Sequence, residues 1–164
     1  MTPQPKTTRP ATVHAPAPRS SATRVRRVKS PQTILLVDDD DTMRLLVART
    51  VKALKPRPVL QYVSDAFQGQ DYLVGRNAFA DRVTYSYPDL LILDLKMPLI
   101  DGFQFLEWVR SQPAMKELPI LVLTGSSHPD HLKRALHLGA DMVLLKPSHI
   151  EEILPKLKTL LGMH

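Results

Sequence analysis

The sequence predicts a doubly wound α/β fold with five parallel strands and five helices. Two observations carry this prediction. Apolar runs of strand length recur along residues 34–145, and each is followed by a stretch with apolar residues at helical spacing. The runs contain almost no polar residues, which is typical of parallel strands covered on both faces by helices.

The predicted strands are rich in Leu, Ile and Val, and four of the five finish in a polar group useful for handling phosphate. The strands span residues 34–37, 59–63, 90–95, 120–123 and 142–145. These four are the first, third, fourth and fifth strands, which lead into Asp38-Asp39, Asp94, Thr124-Gly125 and Lys146-Pro147. Ligands of open parallel sheets bind beyond the carboxyl ends of the strands. We therefore expect these side chains to meet at one edge of the sheet.

The first three helices are predicted at about residues 41–54, 65–74 and 103–111. Asp40 and Asp41 stand at the start of the first, where acidic groups favour the helix dipole. The connection 75–88 is long for a unit of this kind. We expect it to consist of an extended end of the second helix and a surface loop.

The last two helices are predicted from their caps. Ser127 is expected to cap the fourth helix, with Pro129 in its first turn and Gly139 at its end. Ser148 is expected to cap the fifth. Pro155 lies inside that helix and removes one backbone donor, so we predict a kink there.

The net charge of +6 comes from the first 31 residues. They carry seven basic residues, no acidic residue and six prolines, and the remaining chain has fifteen basic against sixteen acidic residues. We predict a disordered basic arm over 1–31, either a solvated extension or a segment that contacts polyanions. The chain has no cysteine and no apolar stretch of about 20 residues, and it lacks a secretory signal, so a cytoplasmic protein is the default expectation.

Three carboxylates held close together must either share a proton or bind a cation. Asp38, Asp39 and Asp94 would offer only oxygen ligands, which suit Mg²⁺. A carboxylate can also act as a nucleophile and form an aspartyl phosphate. The hydroxyl of Thr124 and the ammonium of Lys146 could then contact the transferred group.

These segments resemble the receiver domain of two-component response regulators. The matching pieces are ILLVDDDDTMR, PDLLILDLKMPLIDGFQFL, PILVLTG and LGADMVLLKP, in order over residues 32–162, which is essentially the whole of the predicted receiver domain, 32–164. The resemblance implies a flavodoxin-like sheet with strand order 2-1-3-4-5. It also implies a domain that catalyses only its own phosphorylation and dephosphorylation, and is otherwise not an enzyme.

The resemblance implies a role for each matched residue. Asp94 would accept the phosphoryl group from a phosphohistidine on a sensor histidine kinase or phosphotransfer protein. Mg²⁺ or Mn²⁺ would be bound by the carboxylates and by one backbone carbonyl. In the implied metal site, Asp39 binds the ion directly and Asp38 binds it through water, together with Asp94 and the backbone carbonyl of Lys96. The implied phosphate contacts are Thr124, Gly125 and Lys146. Pro147 matches a position where the family has a cis proline.

The chain departs from the family pattern in three respects. Val143 stands where many receivers have an aromatic residue coupled to movement of the threonine. The long 75–88 connection resembles stand-alone receivers associated with phytochromes or hybrid kinases. Because no DNA-binding effector domain follows in this sequence, we expect the output to be a protein contact, a phosphate relay or an action of the arm. Pairing of two copies is a further expectation.

Two alternatives remain at this point. Asp38-x-Asp40-x-Thr42 also fits the start of haloacid-dehalogenase-type phosphatases, which need a later acidic pair, here Glu151 and Glu152. A pseudo-receiver that acts only as a binding scaffold is the other. The histidines at positions 128, 131 and 137 are interpreted as surface residues.

Overall fold

Five parallel strands form one sheet with the order β2-β1-β3-β4-β5. The computed structural model describes residues 31–164, so the predicted arm lies outside the described residues except for Pro31. The strands are β1 (Thr33–Val37), β2 (Val59–Val63), β3 (Leu90–Asp94), β4 (Ile120–Thr124) and β5 (Met142–Leu145). The predicted fold class and strand order are confirmed.

Five helices connect and follow the strands. They are α1 (Asp41–Ala53), α2 (Ala66–Val74), α3 (Gly102–Ser111), α4 (Pro129–His137) and α5 (Ile150–Leu160), with short 3₁₀ turns at Asn77–Phe79 and Pro113–Met115. Within the described part of the chain, no helix is both long and apolar enough to cross a membrane.

The strand side chains alternate between two buried layers, because successive residues of a strand point to opposite faces. On one face, Ile34, Leu36 and their counterparts on β3 and β4 pack against α1 and α5. On the other face, Leu35, Val37 and their counterparts pack against α2, α3 and α4. The three central strands are fully buried, whereas β2 and β5 lie at the edges and are partly exposed. The expected cover on both faces therefore holds only for the centre.

The connection 75–88 packs on α2 instead of extending it. The helix ends at Val74 because Gly75 adopts a left-handed conformation with φ of 70°. Arg82 then donates to the carbonyl oxygens of Tyr72 and Leu73 at 2.7 and 2.8 Å, which satisfies acceptors that a helix end leaves free. The rings of Phe79 and Tyr85 pack against Tyr72. The predicted helix extension is therefore wrong.

Both predicted serine caps are wrong by one residue. Pro129 occupies the first position of α4, so the capping position falls on His128, whose Nδ1 accepts from the N–H of Asp130 at 3.3 Å. The cap of α5 is His149, which makes no side-chain capping bond. The backbone N–H of Ser148 instead donates to the carboxylate of Glu152.

Two expectations concerned prolines, and the first is wrong. The bond before Pro147 was expected to be cis, but it is trans; among the described residues, the cis peptide bond is the one between Lys55 and Pro56. The trans form is the lower-energy one for an X–Pro bond. Helix α5 continues through Pro155, and the kink stays a prediction.

Candidate functional site

The carboxyl ends of β1 and β3 lie side by side and deliver the acidic residues to one place. Val37 pairs with Leu93 across the two strands, so Asp38 and Asp94 come next in adjacent positions. Each of Asp38, Asp39 and Asp94 offers a carboxylate oxygen, and these oxygens lie within 4.8 Å of one another. Asp38 and Asp94 are buried, whereas Asp39 is exposed. The cluster therefore has a closed inner side and one ligand open to solvent.

The next pair of strands adds a hydroxyl and an ammonium group. Thr124 ends β4 opposite Leu145 of β5, and the backbone N–H of Lys146 donates to the carbonyl of Thr124 at 2.8 Å. The Lys146 Nζ lies 3.1 Å from Asp38 Oδ2, 3.2 Å from Asp94 Oδ2 and 3.6 Å from Asp40 Oδ2. One ammonium group thus faces three carboxylates.

The burial of these charges changes their protonation. Burial raises the pKa of Asp38 from 3.8 to about 6, against the lowering effects of the N–H of Asp40 and the ammonium of Lys146. Burial also raises the pKa of Asp94. Burial alone would lower the pKa of Lys146, but its two carboxylate neighbours outweigh this and raise it. The metal-free site is therefore short of positive charge.

The residues present fit a hard divalent cation. All the acidic side chains of the cluster offer oxygen, the ligand that Mg²⁺ and Mn²⁺ prefer. Although Asp38 Oδ2 lies near Lys146, it is buried and accepts no directed hydrogen bond from the described residues. A buried carboxylate oxygen without a donor is costly. A cation would satisfy this oxygen and neutralise the excess negative charge.

The loop between β3 and α3 is held tightly against the acidic cluster. Asp94 Oδ1 accepts from the backbone N–H of Lys96 at 3.2 Å, and the N–H of Gly102 donates to the carbonyl of Leu95 at 2.9 Å. A Cβ at position 102 would lie 2.4 Å from both Asp94 O and Leu95 Cα, so only glycine fits. Asp101 caps α3 reciprocally with Gln104. The loop is thereby fixed at both ends.

The loop after β4 links the hydroxyl of Thr124 to helix α4. Thr124 is buried, and its Oγ1 accepts from the N–H of Ser126 at 3.1 Å. The Ser126 Oγ lies 2.8 Å from Nδ1 of His131 on α4, whose ring contacts Phe103 edge-on. A Cβ at Gly125 would meet nothing within 4 Å, so the space beside Thr124 is open. A cavity of about 540 Å³ lies here, lined in part by Lys96, Thr124 and His131.

Two residues of the site were not identified from the sequence. Asp40 was interpreted as part of a helix start and, in the phosphatase alternative, as part of the Asp-x-Asp-x-Thr motif, whereas in the structure it caps α1 and faces Lys146. Gly102, which was given no role from the sequence, is the point where α3 touches the backbone of β3. The run of four aspartates and the Asp-Gly pair were the available signals.

The phosphatase alternative is not supported by this geometry. It needs Glu151 and Glu152 as metal ligands, yet both are exposed in the first turn of α5. Within residues 31–164, the acidic cluster able to hold a metal comprises only residues 38, 39 and 94.

Comparison with known proteins assigns a family. The family model "Response regulator receiver domain" matches residues 34–158. The chain is 31% identical over 129 residues to a probable chemotaxis protein CheY of Rhizobium etli, covering 79% of this chain and 92% of that protein. It is 35% identical to the transcriptional regulatory protein GltR of Pseudomonas aeruginosa, but spans only 49% of that protein's length.

Solved structures agree with this assignment. The response regulator RPA3017 in red light signaling of R. palustris has a TM-score of 0.70 and 31% identity, over 79% of this chain and 90% of that one. The Mn²⁺-bound form of response regulator Rcp1 has a TM-score of 0.68 and 26% identity, over 80% and 91%. With its acidic cluster at the carboxyl edge of a 2-1-3-4-5 sheet, the chain belongs to the receiver domain family of response regulators.

Proposed function

We propose that Asp94 accepts a phosphoryl group from the phosphohistidine of a sensor histidine kinase or phosphotransfer protein. The observation that carries this proposal is the convergence of two buried carboxylates, Asp38 and Asp94, on the single ammonium group of Lys146. An oxygen of Asp94 attacks phosphorus, the bond to the imidazole nitrogen breaks, and the imidazole leaves with the electron pair and takes up a proton. The product is an acyl phosphate on the protein.

Each neighbouring group has a proposed part in this transfer. Mg²⁺ or Mn²⁺, when bound by Asp38, Asp39, Asp94 and the carbonyl of Lys96, would neutralise charge on the phosphoryl oxygens. Lys146 lies 3.2 Å from Asp94, so it can turn from the carboxylates to a phosphoryl oxygen without a change in the backbone. The open space beside Gly125 leaves room for another phosphoryl oxygen near the hydroxyl of Thr124.

We further propose that phosphorylation alters the surface formed by α4, β5 and α5. The route runs through Thr124, because its hydroxyl already accepts from Ser126, and Ser126 bonds to His131 on α4. If Thr124 turns towards a phosphoryl oxygen, Ser126 loses an acceptor and the bond to α4 must adjust. Val143 is half-buried on β5 and has no polar group to take part. In many receivers an aromatic residue at this position couples the threonine to the surface. In this chain the loop after β4, through Ser126, would couple Thr124 to α4 instead.

The test uses acetyl phosphate as the donor and intact-mass spectrometry as the readout. We expect a single phosphate on the protein with Mg²⁺, none in EDTA, and none on Asp94→Asn. The matched control is Asp101→Asn, because Asp101 lies near the same cavity and asparagine caps a helix as well as aspartate does. The control should be labelled like the parent. Labelling of Asp94→Asn, or equal labelling in EDTA, would refute the assignment.

A further inference from the structure

A cavity of about 540 Å³ opens between the loop after β3 and the loop after β4. The sheet order places β3 between β1 and β4, so Asp94 at the end of β3 has a different neighbour on each side. The acidic cluster lies on its β1 side and the cavity on its β4 side. A metal ion held by the cluster would therefore leave the cavity open to another component of the reaction.

The cavity reaches the reacting carboxylate through two of its lining residues. The backbone N–H of Lys96 donates to Asp94 Oδ1 at 3.2 Å. Asp94 pairs with Leu123 across β3 and β4, so Thr124, the next residue, ends β4 beside it. Cavities of roughly 300–1,000 Å³ hold small organic ligands, so a phosphoryl group alone would leave most of this space unfilled. A second group attached to phosphorus could occupy the rest.

The inner wall of the cavity is apolar and its rim is polar. Leu95, Met97 and Phe103 are buried, whereas Lys96 and His131 are exposed. The ring of Phe103 already contacts one imidazole, that of His131, edge-on with the ring centroids 5.9 Å apart. The cavity therefore suits a flat ring that has apolar faces and polar nitrogen atoms at its edge.

We propose that this cavity binds the imidazole ring of the phosphohistidine donor, with Phe103 and His131 contacting the ring. The inference rests on the proposed role of Asp94 as the phosphoacceptor. In the transfer, an oxygen of Asp94 bonds to phosphorus while the bond from phosphorus to nitrogen breaks, and the nitrogen keeps the electron pair and takes a proton from water. Because the entering oxygen and the leaving nitrogen lie roughly in line through phosphorus, the ring must depart into space beyond the phosphoryl group. The cavity provides that space on the side away from the acidic cluster.

Two small donors distinguish the ring from the rest of the reaction. Phosphoimidazole releases imidazole itself. Phosphoramidate also breaks a bond from phosphorus to nitrogen, but it releases ammonia, which has no ring to contact Phe103. General damage to Asp94, Lys146 or the metal site lowers the labelling rate with both donors. The ratio of the two rates therefore isolates the contribution of the ring.

The experiment measures this ratio for the full chain with Mg²⁺ by intact-mass spectrometry. Phe103→Leu should lower the ratio about threefold to tenfold, which is the effect expected from the loss of one aromatic contact. His131→Ala should lower it as well. The matched controls are Phe67→Leu and His137→Ala, which make the same changes at exposed positions on α2 and α4 outside the cavity lining. Their ratios should equal that of the parent.

Equal ratios in the two cavity variants and in their controls would overturn the proposal. Because Phe103 is buried, its variant could fail to fold, so a second measurement uses the parent: a titration with imidazole in EDTA, followed by NMR. The amide signals of Phe103, Ser126 and His131 should shift together, and shifts confined to other parts of the chain, or none, would also overturn the proposal. Labelling of Asp94→Asn by phosphoramidate would instead refute the phosphoacceptor assignment, which separates the two failures.

Discussion

Replacing Asp38 with asparagine should stabilise the metal-free protein at neutral pH. The pKa of Asp38 rises from 3.8 to about 6 on folding, chiefly because the carboxylate is buried. A rise of this size costs the ionised native state about 3 kcal/mol, at about 1.4 kcal/mol per pKa unit. Asparagine resembles the protonated acid in shape and carries no charge, so Asp38→Asn removes this cost. Lys146 keeps Asp94 and Asp40 as partners.

The stabilisation should depend on pH with a definite sign. Between pH 3.8 and about 6 the native state of the parent binds more protons than the unfolded state, so its stability falls as pH rises through this window. The variant lacks this titration. The difference between them should be small near pH 4, grow towards pH 6 and reach its full value of about 3 kcal/mol above that pH.

Urea unfolding in EDTA at several pH values is the assay. Asp65→Asn is the control, because Asp65 caps α2 and asparagine replaces it there at little cost. With Mg²⁺ at 100 times its dissociation constant, the parent should gain about 2.7 kcal/mol and the Asp38 variant much less. If Asp38→Asn is less stable than the parent in EDTA at pH 7.5, or if the difference does not shrink towards pH 4, the burial argument is wrong.

Three further predictions follow from the site. Mg²⁺ affinity, measured by calorimetry, should fall about tenfold per pH unit below about pH 6, because Asp38 must lose its proton before it can bind the ion. An affinity that stays constant from pH 8 to pH 5 would contradict this. Gly102→Ala should cost about 1–3 kcal/mol in urea unfolding because its Cβ would overlap the β3 backbone, whereas Gly125→Ala should cost under about 0.5 kcal/mol. His131→Ala should abolish the change in hydrogen exchange of α4 on adding beryllofluoride and Mg²⁺, whereas His137→Ala should retain it; an unchanged response in His131→Ala would remove Ser126 and His131 from the proposed route.

The apolar runs were sufficient to predict the sheet, because a short continuous run of apolar residues between helical segments is typical of a strand buried on both faces. The positions of Asp38, Asp94 and Lys146 at strand ends follow from the same pattern, since parallel strands end at one edge. The caps of α4 and α5 could not be placed to the residue. Pro129 is the first residue of α4, which moves its cap from Ser127 to His128. At the start of α5, the carboxylate of Glu152 accepts from the backbone N–H of Ser148.

Residue types and their order along the chain therefore determined the family, the sheet and the set of charged groups at its edge. Only the tertiary structure decided which oxygens are buried, that Lys146 faces three carboxylates, that Ser126 joins Thr124 to α4, and that Phe103 and His131 line one cavity beside Thr124. The physical reason is that burial and proximity depend on how separate segments pack. Those properties set the pKa values and the contacts on which each proposed function depends.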